Sequence, residues 1–254
     1  MNSSMLKGAQ LSGGSRAVEL GLITLNGTKS LANIMFVLGL LTAAGILFTS
    51  YLNTGSTSNA YHAAIIALIG VLIGYFYTAK PIRLSSRYGL GEISIFLAFG
   101  PLLTLGTGFA IAAETIIPYS NEFYNLLILG IPIGLLTTNI LFINQYPDYT
   151  SDKKVGKNHL VVLLGKKASR WIYALNSATA VGSLYYISEN ILNETQSSLF
   201  LYVLIPITMI YSYYLINGLF KYYNSRKLIK YNIHTIYFHM FFSFVYMIIL
   251  ANFQ

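Results

Sequence analysis

The sequence predicts an all-α, polytopic transmembrane helix bundle, and three observations carry that prediction. The chain of 254 residues is 55% hydrophobic and only 9% charged, with a mean hydropathy of +0.59. That apolar balance lies outside the range of water-soluble domains. Apolar runs long enough to cross a hydrocarbon core of roughly 30 Å recur along the chain. When those runs are threaded alternately through a bilayer, all 16 Lys and Arg residues fall on one side. Hydrocarbon offers a backbone no hydrogen-bond partner, so each run must satisfy its own N–H and C=O groups as a helix. The alternating segments of about ten residues that build a membrane β-barrel are not visible.

The chain opens with a polar, Gly/Ser-rich stretch, MNSSMLKGAQLSGGSR, which lacks the charged-then-apolar pattern of a signal peptide. Spans are then expected at about 31–52, 62–79, 93–113, 125–143, 171–188, 199–219 and 232–252, seven in all. Lys7, Arg16 and Lys29 precede the first, and Lys80, Arg83 and Arg87 join the second to the third. Lys153, Lys154, Lys157, Lys166, Lys167 and Arg170 join the fourth to the fifth. Lys221, Arg226, Lys227 and Lys230 join the sixth to the seventh. The opposite loops, YLNTGSTSNAYH, ETIIPYSNEF and SENILNETQ, carry Glu114, Glu122, Glu189 and Glu194 and no Lys or Arg. One missed or invented span would scramble this alternation. By the positive-inside rule the basic side is cytoplasmic, so the net charge of +8 reports orientation in the cell membrane and not a nucleic-acid partner. The same face attracts anionic headgroups of membrane lipid and anionic substrates.

No soluble module fits between the spans, so residues 1–254 read as one domain whose longest inner loop is 144–170. Gly70 with Gly74, and Gly130 with Gly134, have the spacing of close helix packing. The 21 Tyr and 15 Phe suit the membrane interface, with a minority available to line a pocket for an apolar substrate. The absence of cysteine excludes disulfides and thiolate metal sites. His62, His159, His234 and His239 share no helix face and read as interface or packing residues, without a zinc site. Asn193, Glu194 and Thr195 form a glycosylation sequon on the outer side, which matters only in a eukaryotic secretory membrane.

The chemistry concentrates in NQYPDYTSDKKVGK, residues 144–157. Asn144, Asp148 and Asp152 stand four apart, a spacing that shares one helix face, although Pro147 is expected to mark where the fourth span unwinds. Crowded carboxylates and an amide oxygen are costly without a cation. Oxygen-only ligands select a hard one, and Mg2+ keeps positions for water and phosphate. The lysines that follow, Lys153, Lys154 and Lys157, then serve an anion the metal also holds. The plain alternative is a solvated loop whose acids and bases pair with each other at little gain. The regular spacing and the position at the membrane edge, beside the basic loop 80–92, weigh against it.

At these residues the chain resembles the UbiA superfamily of intramembrane prenyltransferases. NQYPDYTSDKKVGKNHLVVLLG is similar to that superfamily's second aspartate-rich motif. GYFYTAKPIRLSSRYGLGEISIFLAFGPLLTLGTG, residues 74–108, resembles an inner loop and following helix of its 1,4-dihydroxy-2-naphthoate branch, and LSGGSRAVELGLIT, 11–24, resembles the segment after its first aspartate-rich motif. The resemblance implies Mg2+-dependent transfer of a polyprenyl group from an isoprenyl diphosphate to an aromatic acceptor. In that branch the acceptor loses its carboxylate to give demethylmenaquinone, a step of menaquinone biosynthesis. It further implies Asn144, Asp148 and Asp152 as metal ligands, with both aspartates catalytic. Lys157, Lys153, Lys80, Arg83 and Tyr77 are implied as diphosphate contacts, and Arg16 as structural.

The family's fold has nine helices, with the first aspartate-rich motif after the second. No NxxxDxxxD precedes LSGGSR here. The expectation is therefore that two helices and half of the metal site belong to a part of the protein outside this sequence, and that residues 1–254 by themselves are poorly active. Gln145 and Pro147 stand where the naphthoate branch often has Asn and Arg, and His159 where Thr is common, which bears on the acceptor. The alternatives are 4-hydroxybenzoate, geranylgeranylglyceryl phosphate or a tetrapyrrole as acceptor, or a non-catalytic membrane scaffold. A seven-helix retinal protein is disfavoured because the last span holds no lysine. A transporter is disfavoured because charges sit at span ends.

Overall fold

A computed structural model describes residues 21–55, 57–112 and 114–251. Nine α-helices are described: α1 Leu25–Thr54, α2 Thr57–Thr78, α3 Leu90–Phe99, α4 Pro101–Ile111, α5 Asn121–Lys154, α6 Leu160–Asn190, α7 Glu194–Leu199, α8 Ile205–Tyr222 and α9 Leu228–Ala251. Two pairs act as single passes. Helices α3 and α4 meet at Gly100–Pro101, and a π-helical turn over Phe200–Leu204 joins α7 to α8. The described passes therefore number seven. Six are long and apolar enough to cross a membrane, and α6 falls outside that group.

The exception has a physical reason. At 1.5 Å per residue the 31 residues of α6 span about 46 Å, ample for a bilayer. Its polar side chains, however, are used against other helices. Asn139 of α5 donates to Ser177 Oγ (3.0 Å) and to the carbonyl of Tyr173 (3.2 Å), and accepts from Asn176 (3.0 Å). Tyr173 shares a hydrogen bond of 3.1 Å with Thr235 of α9, and Tyr146 one of 2.8 Å with Ser169. Such bonds hold helices together where lipid gives no hydrophobic drive for association. Around them lies the main core, formed by α5, α6, α8 and α9 and centred on Phe142, Tyr146, Leu184, Phe200 and Leu219. A smaller core of Ala63, Leu105, Phe109 and Ile116 joins α2 to α4. Helix α1 exposes Leu38, Leu41 and Phe48, a surface that suits hydrocarbon and not water.

Three expectations change. The fourth pass does not unwind at Pro147: α5 runs through Pro132 and Pro147 to Lys154. Proline removes one backbone bond, while Lys153 and Lys154 in the last turn favour the helix's negative end. With α6 beginning at Leu160, the supposed loop 144–170 reduces to residues 155–159. The glycine pairs also divide. A Cβ on Gly130 would lie 2.5 Å from the Gly100 carbonyl carbon, and one on Gly134 would lie 2.6 Å from the Phe96 oxygen, so α5 packs backbone to backbone on the α3–α4 junction. Gly70 and Gly74 have nothing within 4 Å among the described residues, so the close packing expected there is not seen.

Alanine substitution should separate the two sets. Gly130→Ala forces backbone apart and should destabilise by about 1–3 kcal/mol through overpacking. Gly70→Ala meets open space and should hold or raise stability, since alanine is the better helix former by about 1 kcal/mol. Thermal unfolding of the detergent-solubilised protein reads both. An unchanged Gly130→Ala would exclude the close contact.

Candidate active site at the basic end of the bundle

Every described Lys and Arg lies at the end of the bundle formed by the start of α1, the α2–α3 loop, the α5–α6 loop and the α8–α9 loop. There α5 extends beyond its apolar stretch as a ledge carrying Asn144, Asp148 and Asp152, one turn apart. Facing it is loop 79–89, which makes sharp turns: Arg83 (φ 48), Tyr88 (φ 42) and Gly89 (φ 85) are left-handed, and Leu84–Ser86 form a 3-10 turn. Only Gly89 meets that geometry without strain. The loop is sewn to the α5–α6 connection. Tyr88 N–H donates to the Asn158 carbonyl (2.7 Å) and Asn158 N–H to the Ser86 carbonyl (3.1 Å), giving an isolated parallel bridge between Arg87 and Asn158.

Between ledge and loop lies a cleft of about 590 Å3, lined by Tyr77, Thr78, Arg83, Ser85, Ser86, Leu141, Asn144, Gln145, Asp148, Asp152, Lys157 and His159. Six of the residues named from the sequence thus meet: Tyr77, Arg83, Asn144, Asp148, Asp152 and Lys157. Two do not line it. Lys153 lies over the Tyr149 ring, 5.8 Å from its centroid, and Lys80 sits before the cis peptide to Pro81. Arg16 lies outside the described residues.

Asp152 is held on both oxygens. Lys157 Nζ is 2.9 Å from Oδ1 and His159 Nε2 is 3.2 Å from Oδ2. The Lys157 side chain is 40% exposed, so this pair is worth little and the ammonium is free to turn to an incoming anion. His159 is buried and caps α6, its Nδ1 accepting from Val162 N–H at 3.3 Å. An accepting Nδ1 makes the ring the neutral Nε2–H tautomer, which donates to Asp152. Burial, the main influence, keeps its pKa below the usual histidine value and agrees with that form. Asn144 Oδ1 accepts from Asn232 of α9 at 3.1 Å, which ties the last helix to the ledge.

Behind the cleft lies Glu92, 4% exposed. Its Oε1 accepts from Gln145 Nε2 (3.0 Å) and from Leu160 N–H (3.0 Å), so one oxygen joins α3, α5 and the start of α6. Its Oε2, Gln145 Oε1 and the Ser86 hydroxyl are buried without a hydrogen-bond partner among the described residues. Sequence reading missed Glu92, Ser86 and His159. A signal existed for two of them: Glu92 is the one acid of the 80–92 loop, and His159 stands where a helix cap belongs. For a cation, Asn144, Asp148 and Asp152 supply oxygen only, the set a hard divalent ion takes. No group of three His, Cys, Asp or Glu residues with metal-site geometry occurs among the described residues, so any remaining ligands would come from substrate, water or further chain.

The UbiA prenyltransferase family profile matches residues 15–245. A 2-carboxy-1,4-naphthoquinone phytyltransferase of Synechocystis sp. is 35% identical over 126 residues, 49% of this chain and 37% of that protein. A 1,4-dihydroxy-2-naphthoate octaprenyltransferase of Escherichia coli is 40% identical over 86 residues, 34% of this chain and 26% of that protein. Its namesake in Bacillus subtilis is 30% identical over 123 residues, 48% of this chain and 37% of that protein. The matched stretches thus span well under half of each relative. No solved structure matches significantly.

Removing Glu92 should loosen this end of the molecule. Glu92→Ala leaves the Leu160 N–H and the Gln145 amide without their acceptor, a cost of about 1–3 kcal/mol, and should quicken proteolysis at loop 79–89. Glu92→Gln, which keeps one accepting oxygen, should recover most of the loss. Equal protection of Glu92→Ala and the unaltered protein would rule out the clamp.

Proposed function

This chain belongs to the UbiA prenyltransferase family, and on that premise we propose that it binds an isoprenyl diphosphate in the cleft and transfers the prenyl group to 1,4-dihydroxy-2-naphthoate. The carrying observation is the convergence of Tyr77, Arg83, Asn144, Asp148, Asp152 and Lys157, drawn from α2, α5 and two loops, on one polar cleft at the end of an apolar bundle. The names of the naphthoate-acting relatives support the acceptor. The protein is read as an integral membrane enzyme with this end on the cytoplasmic side.

The residues divide the work by chemistry. Asn144, Asp148 and Asp152 would hold Mg2+, which when bound neutralises the diphosphate and stabilises it as a leaving group. Arg83 and Lys157 supply fixed positive charge to the same anion, Arg83 as a planar fork and Lys157 as a movable point charge. The Tyr77 and Ser86 hydroxyls can donate to its oxygens. His159 and Lys157 hold Asp152 in place until substrate arrives. Leu141, one turn before Asn144, continues the cleft wall toward the apolar interior, where the isoprenoid belongs and water is excluded. As the allylic C–O bond breaks, its electron pair leaves on the diphosphate. A ring carbon of the acceptor supplies the pair for the new C–C bond, and loss of its carboxylate as CO2 returns that bond's pair to the ring, which yields the reduced, quinol form of demethylmenaquinone.

In membranes from cells expressing the protein from its natural gene, Asp148→Ala should lower prenyl incorporation by about a hundredfold or more, the scale of a lost metal ligand. Chelation of divalent cations should abolish the activity and added Mg2+ restore it. Among acceptors offered in turn, 1,4-dihydroxy-2-naphthoate should be prenylated in preference to 4-hydroxybenzoate. Activity of Asp148→Ala within about tenfold of the unaltered protein would refute the metal role.

A further inference from the structure

A second polar cleft opens at the same end of the bundle, on another side of α5. It measures about 390 Å3 and is lined by Tyr149 and Thr150 of α5, Lys166 and Lys167 of α6, and Tyr223 and Asn224 just past α8. It shares no lining residue with the first cleft. Gly165 (φ 76, ψ 155) breaks helical geometry at this point, so the straight run of α6 starts at Lys166–Lys167 with the partial positive charge of a helix beginning added to theirs.

Among the described residues, the charges here have no counter-ion. Lys153 and Lys166 approach the Tyr149 ring, 5.8 and 5.5 Å from its centroid. Arg170 lies over Phe220 and Tyr223 at 4.5 and 4.4 Å and donates from Nη1 to the Phe220 carbonyl at 2.9 Å. Among the described residues, the only Lys or Arg with a carboxylate at ion-pair distance is Lys157, in the other cleft. Aromatic faces hold the cations in place, and an anion is what the arrangement lacks.

The neighbourhood selects the kind of anion. Lys167, Trp171 and Leu175 follow at i, i+4 and i+8, so they share one face of α6. All three are exposed, Trp171 by 66% and Leu175 by 64%. That stripe runs from charge through an amphipathic ring to aliphatic surface, the order in which a phospholipid presents phosphate, glycerol region and acyl chain. Tryptophan belongs at the headgroup level, and basic pockets between helices on the cytoplasmic side suit anionic headgroups. We propose that this cleft is a binding site for an anionic phospholipid, its phosphate on Lys166 and Lys167 and an acyl chain along Trp171 and Leu175.

The test uses the full chain in detergent, titrated with phosphatidylglycerol or phosphatidylcholine while bound lipid is counted by native mass spectrometry. Phosphatidylglycerol should bind more tightly than phosphatidylcholine. Lys166→Gln with Lys167→Gln should weaken it by about fivefold per charge removed and leave phosphatidylcholine unchanged. Lys167→Gln alone, at an exposed side chain, should show its single share without disturbing packing. Lys227→Gln with Lys230→Gln, at the same end but on the Tyr222 and Tyr214 rings, should leave binding nearly unaltered. Wild-type affinity in the Lys166/Lys167 variant overturns the site. Equal losses in both double variants would mean a diffuse basic field and overturn it too. Displacement of the lipid by inorganic phosphate at equal concentration would make the ligand a free anion and overturn the lipid. None of these readings involves prenyl transfer, so the outcome is independent of the proposed activity.

Discussion

One oxygen atom organises the basic end of this molecule. Glu92 Oε1 receives hydrogen bonds from Gln145 on α5 and from the backbone of Leu160 where α6 begins. A buried carboxylate is tolerated only when its charge is met by donors, so the positions of these donors are coupled to it. Glu92 itself lies in the first turn of α3, where a negative charge is favoured. With these elements fixed, loop 79–89 can pair its backbone with Asn158, and the ledge bearing Asn144, Asp148 and Asp152 acquires an opposite wall. Asp152, Lys157 and His159 then form a small network of their own at the mouth.

The rest of the bundle follows from lipid as solvent. Helices cannot gain by hiding apolar surface from other apolar surface, so association relies on close approach and on polar bonds. Both are present, and they are spatially divided. Gly100, Gly130 and Gly134 bring α5 against the α3–α4 junction. Asn139, Tyr173, Asn176, Ser177 and Thr235 join α5, α6 and α9. This explains the lower apolar content of α6: its polar groups face partners. Fixed packing below the ledge gives the turns of α5 that carry Asn144, Asp148 and Asp152 a rigid base.

Charge is handled differently at the two clefts of the basic end. In the first, Asp152 is held by Lys157 and a neutral histidine, and acidic and basic side chains line the same cleft. In the second, cations rest on aromatic rings, and among the described residues no carboxylate lies at ion-pair distance from them. The two surfaces lie on different sides of α5 and share no lining residue, so the proposed diphosphate cleft and the proposed lipid cleft are separate.

The sequence by itself determined the class of fold, the alternation of the passes and the motif on α5. Each depends on local rules: hydrocarbon forces backbone into helices, basic residues mark one side, and a four-residue repeat shares a helix face. Even the resemblance to a prenyltransferase family was legible there, in NQYPDYTSDKKVGK. Tertiary structure decided the remainder. Pro147 did not end its helix, because the loss of one bond is small against the contacts of the turns around it. Gly130 proved a contact and Gly70 did not, since spacing alone says nothing of what stands opposite. Glu92 and His159 joined the site through partners 53 and 7 residues away. Lys153, adjacent to the motif, turned to Tyr149 instead. A sequence pattern specifies which residues can share a face, but which faces meet depends on the packing of helices far apart in the chain.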